Sequence, residues 1–137
     1  MEEIRLSFKD MDVFETFIYA GDMGLLYALI LLMILDIITG IAKAIKNKDL
    51  WTRKSLFGYS RKIMIFCIII LANTIDQILN LNSGLLMVTI FFYIANEGLS
   101  IIENCAEMDV LIPDEISERL ALIKNKNGKG DNTNGSD

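Results

Sequence analysis

Charged and amide side chains set inside long apolar stretches are the residues of this chain with the most chemistry to offer. In the first stretch, Asp36, Gly40 and Lys43 recur at helical spacing on one face. In the second, Asn73, Asp76 and Asn80 do the same, with Gln77 beside Asp76. In the third, Asn96, Ser100, Glu103 and Glu107 form a stripe, and Glu97 lies next to it. Such groups can bond helices to one another, carry an ion, or line water. They do not form a catalytic set. Histidine is absent, and no nucleophile is paired with a base, so neither an enzyme nor a metal or cofactor site is expected. Cys67 and Cys105 lie far apart, one deep in an apolar run and one past the end of another, and read as ordinary reduced thiols.

The elements that must position these residues follow from composition. At 137 residues the chain has the length of one domain. It is 53% apolar and yet 23% charged, so its polarity is segregated along the sequence. The formal charge of −5 argues against nucleic acid as a partner and the long apolar runs argue for a lipid bilayer.

The first run, Leu25 to Ala42, is long enough for a bilayer core of roughly 30 Å at 1.5 Å per residue. A central Asp36 costs about 3 kcal/mol on insertion scales, against on the order of −5 kcal/mol from the leucines and isoleucines around it. Insertion wins. A signal peptide is excluded because the preceding segment is acidic where a basic one is required. The second run is Ile63 to Leu79. The third, Leu85 to Ile102, turns polar at Asn96 and Glu97 and depends on its neighbours to stay in the membrane. Only Asn80 to Gly84 separates these two, which forces an antiparallel hairpin. The expected fold is an all-α integral membrane protein of about three transmembrane helices, with short amphipathic helices at its ends.

Those ends bound the domain. Residues 1–22 are acidic, and Phe14, Phe17 and Ile18 on one face of residues 11–20 fit an interfacial helix. The membrane domain runs over 23–124 and closes with a cytoplasmic helix at 113–124. There Pro113 and the following acids mark a helix start, and Ile116, Leu120 and Ile123 form a stripe. Residues 125–137 are polar and Gly/Asn-rich, and are expected to be disordered. Orientation follows from Lys43, Lys46, Lys48, Arg53, Lys54, Arg61 and Lys62, which crowd the first connector. The positive-inside rule puts that connector in the cytoplasm, the N-terminus and hairpin tip outside, and the C-terminus inside. Trp51, Phe57 and Tyr59 suit an interfacial position within it. If Asn96 and Glu97 were not accommodated, the second and third runs would form a re-entrant hairpin with the C-terminus outside.

Leu32 to Ile41 (LMILDIITGI), and above all FFYIANEGLSIIEN at 91–104 followed by VLIPDEI at 110–116, resemble the lysis and toxin-secretion holins of Gram-positive bacteria and their phages. The resemblance covers about Leu25 to Lys124; the 91–104 block is highly specific and the LD-x-x-TG element weaker. It implies a small, multi-spanning, non-enzymatic protein of the bacterial plasma membrane. Such a protein oligomerises with itself at a set time and opens lesions through which a cytoplasmic endolysin, or a toxin, escapes. The matching positions are Asp36, Thr39, Gly40, Asn96, Glu97, Gly98, Ser100, Glu103 and Asn104. Their roles are argued physically. Gly40 and Gly98 let helices approach closely, whereas Asp36, Lys43, Asn73, Asp76, Asn96, Glu97, Ser100 and Glu103 either line a lumen or bond helices together. In the second case Asp36 is protonated or pairs with Lys43. Two other classes remain in view: an antiholin that regulates such a holin, and a small oligomeric transporter or channel subunit. No internal repeat or broken-helix pair supports the latter.

Overall fold

A computed structural model describes residues 12–13, 15–49 and 53–128. Residues 12–13 and 15–18 are helical, and four longer helices carry the fold: α1 (Met23–Lys46), α2 (Arg53–Leu79), α3 (Gly84–Glu107) and α4 (Asp114–Gly128). Three are long and apolar enough to cross a membrane, over Met23–Lys46, Leu56–Leu79 and Gly84–Glu107.

Each helix overruns the apolar run that announced it, because hydropathy marks contact with lipid whereas a helix ends only where its backbone is capped or broken. Asp22 starts α1, its Oδ1 accepting from the Gly24 amide at 2.6 Å, and Lys43 and Lys46 occupy the last turn, where cations suit the helix dipole. α2 begins at Arg53, well before Ile63, since arginine and lysine are good helix formers and need no lipid contact. Phe57 and Tyr59 therefore lie exposed on its first turns, and Trp51 falls outside the described residues. The α2–α3 reversal uses Asn80, Asn82 and Ser83 in the left-handed region, at φ 52°, 51° and 62°. Asparagine tolerates that conformation better than most residues.

α3 lies at the centre, packed against α1, α2 and α4. The core between the spans is built from Leu29 and Met33 of α1, Ile65 and Ile69 of α2, and Leu86 and Ile90 of α3. Outward, α1 exposes Tyr27, Leu31, Ile34, Leu35, Ile38, Ile41 and Ile45, a continuous apolar face for lipid. α3 exposes only Val88 and Phe92 among its large apolar side chains. α3 is thus enclosed by three neighbouring helices, which is how it holds polar residues within a membrane bundle.

α4 follows Pro113 with Asp114 and Glu115 in its first turn and packs along α3. It continues through Gly128 rather than stopping at Lys124, so residues 125–128 are helical where disorder was expected. Lysine at 124 and 126 is a good helix former, which is consistent with the chain staying helical there. Residues 129–137 and Phe14 lie outside the described part of the chain.

Candidate functional site

Two buried polar layers tie the helices together, one near the middle of the spans and one beside the α2–α3 turn. The deeper layer joins all three. Lys62 of α2 sends its Nζ to Asp36 Oδ2 of α1 at 2.6 Å and to Glu97 Oε2 of α3. Asn104, two turns beyond Glu97 on the same face of α3, donates Nδ2 to Asp36 Oδ1 at 2.9 Å and to Thr39 Oγ1 at 3.1 Å. Thr39 Oγ1 in turn donates to the Asp36 carbonyl at 3.1 Å. Asp36, Glu97 and Asn104 are all buried. Two carboxylates therefore share one ammonium, with an amide orienting one of them. Removing one member of such a buried pair typically costs about 3–5 kcal/mol, because it strands the other charge.

Lys62 was hidden in the sequence among the basic residues of the connector. The signal that marks it is position: it is the last cation before Ile63, and its four-carbon stem reaches into the bundle from there. Asp36 does not pair with Lys43. That lysine faces Glu107 at 3.5 Å, and Lys46 faces Asp109 at 3.0 Å while also donating to the Glu107 carbonyl at 2.8 Å. These pairs are solvent-accessible at the lysine-rich end and contribute about 0–1 kcal/mol each.

The second layer lies where α2 meets α3. Asp76 of α2 accepts from the Leu85 amide at 3.1 Å and from the Leu86 amide at 2.6 Å. It thereby caps α3 in place of Ser83, whose side chain makes no capping bond. Asn73, one turn earlier on α2, donates to the carbonyls of Thr16 at 2.8 Å and Phe17 at 2.7 Å and accepts from the Ala20 amide at 3.1 Å. It docks the N-terminal helical residues onto α2, leaving Phe17 and Ile18 partly exposed. The Tyr19 hydroxyl donates to the Asp22 carbonyl at 2.5 Å. Burial, and secondarily the Asp22 charge, raise this phenol above its ordinary range.

The stripe Asn96, Ser100 and Glu103 is not the buried face of α3. Asn96 and Ser100 are half-buried and Glu103 is exposed, while Leu86, Ile90, Glu97 and Asn104 turn inward. Helical spacing gave the right helix and a face rotated by about one residue, roughly 100°. Gly40 sits opposite Asn104, whose Nδ2 would lie 3.7 Å from an added Cβ. Gly98 is tighter: an added Cβ would meet Leu120 Cδ2 of α4 at 2.9 Å, so its partner is the last helix rather than another span.

Comparison with known proteins places this architecture. The bacteriophage holin family matches over residues 13–125. An uncharacterized protein of Bacillus subtilis is 45% identical over 134 residues, covering 96% of this chain and 95% of the relative. The probable holin of Bacillus phage phi105 is 43% identical over 122 residues, covering 89% of this chain and 90% of the relative. An uncharacterized protein of Clostridium perfringens is 34% identical over 126 residues, covering 90% and 93%. No solved structure matches the chain significantly.

Proposed function

We propose that this chain, which belongs to the bacteriophage holin family, accumulates in the plasma membrane of a bacterial host and then oligomerises into timed lesions. An endolysin, or in some settings a toxin, leaves the cytoplasm through them. The protein does this without catalysis and needs no stable contact with the released cargo. The observation that carries the reading is the Asp36–Lys62–Glu97 layer near the middle of the spans. Ionisable groups at that depth avoid lipid, and here they satisfy one another within a single copy. A copy so closed can accumulate in the membrane without leaking, as a dormant holin must.

The basic residues around the first connector support the orientation with the N-terminus outside and the α1–α2 connector and C-terminus in the cytoplasm. Inducible expression in bacteria tests the function. The expected course is a delay, then abrupt loss of membrane potential and arrest of growth, with lysis when an endolysin is co-expressed. Uninterrupted growth with a polarised membrane indicates an antiholin instead, and a graded ion-selective current indicates a transporter subunit.

A further inference from the structure

The two sides of the protomer offer opposite chemistry at one level of the bundle. Leu120 of α4 packs against Gly98, the neighbour of Glu97, so α4 lies alongside the level of the ion triad. Gly98 is about 13 Å from the Glu107 end of α3 and within about 4 Å of that helix's midpoint, at 1.5 Å per residue. The outward side of α4 beside Leu120 carries Glu118 and Arg119, with Glu115 about one turn earlier, and exposes Ile116 and Leu122 between and beyond them. At the same level α1 turns Ile34, Leu35, Ile38 and Ile41 outward. Lipid suits the second surface. It does not suit the first, since charged side chains well inside the hydrocarbon must find water or a charged partner. α4 meets α3 through the apolar contact of Leu120 on Gly98.

We propose that α4 is the water-facing wall of the assembled lesion, docked through Leu120 on Gly98, with Glu115, Glu118 and Arg119 toward the lumen. The apolar face of α1 is turned to lipid or to a neighbouring copy. The inference rests on the lesion-forming reading and identifies which surface such a lesion presents to its cargo. It also frees the triad from lining the lumen, because those groups stay paired inside each protomer.

The test uses the full chain with Cys67→Ala and Cys105→Ala, reconstituted in vesicles of bacterial phospholipid at assembling density. A fluorophore is placed at Glu118→Cys in one preparation and at Ile38→Cys in another, and quenching by aqueous iodide is measured in each. Expected is several-fold stronger iodide quenching at 118 than at 38, and formation of an intrachain disulfide in a Gly98→Cys/Leu120→Cys variant under mild oxidation. Iodide access at both positions would mean that this level lies outside the membrane, and protection at 118 would mean that α4 faces lipid or protein. Either result overturns the proposal, as does absence of the 98–120 disulfide. Release of an entrapped protein-sized dextran is read in the same vesicles. Release with 118 protected sinks the wall and leaves the lesion standing, whereas no release sinks the lesion whatever the probes report.

Discussion

At the level of single residues, the two-to-one ratio of carboxylate to ammonium makes the members of the triad unequal. Lys62→Met leaves Asp36 and Glu97 facing each other in a buried site and is expected to cost about 3–5 kcal/mol. Asp36→Asn or Glu97→Gln leaves one carboxylate with Lys62, so each is expected to cost less than Lys62→Met. In the triple variant Lys62→Met/Asp36→Asn/Glu97→Gln, much of the lost stability returns, because no charge remains to be stranded. Thermal unfolding in detergent measures the series. A Lys62→Met variant as stable as Lys43→Ala, which breaks only an accessible pair, would dismiss the triad as a structural lock. In cells, Asp36→Asn and Glu97→Gln are expected to insert normally and to shift the time of triggering. Unchanged timing in both would confine these residues to holding the protomer together.

Among the elements, the α2–α3 hairpin is held by one carboxylate acting over a short turn. Asp76→Ala removes both acceptors from the first amides of α3 and is expected to lower stability by about 1–2 kcal/mol. Asp76→Asn retains one acceptor and loses the charge, so it falls between. Asn73→Ala acts elsewhere: it releases the carbonyls of Thr16 and Phe17. Its expected signature is faster proteolysis or hydrogen exchange confined to residues 12–20, with the hairpin protected as before. The apolar runs and the five-residue turn segment made the three spans and the hairpin readable from sequence, since both rest on local pattern. The partners of the polar residues were not readable. Asp76 finds amides close along the chain, but Asp36 finds Lys62 only after α1, α2 and α3 meet, and helical spacing cannot say which lysine arrives. The rotation of α3 that turns Glu97 and Asn104 inward, instead of Asn96 and Ser100, is likewise set by packing against α1 and α2.

For the whole molecule, the membrane fixes one choice that the bundle leaves open: which end of the spans meets the cytoplasm. The end of α1 with Lys43 and Lys46 lies beside the end of α3 with Glu107, so these charges share a single side of the bilayer. Cys105 belongs to that side and is half-buried, whereas Cys67 lies in the apolar middle of α2 with its side chain turned outward. The positive-inside rule counts the lysines and arginines, not the acids paired with them, so these ion pairs do not weaken the cytoplasmic assignment. Glu97, bonded to Lys62, sits within a continuous third helix long enough to span. A membrane-impermeant maleimide applied to intact, polarised spheroplasts before triggering is therefore expected to label neither native cysteine. Applied to inverted membrane vesicles, it is expected to label Cys105 and to spare Cys67, which lipid covers. Labelling of Cys105 in the spheroplasts would invert the proposed topology.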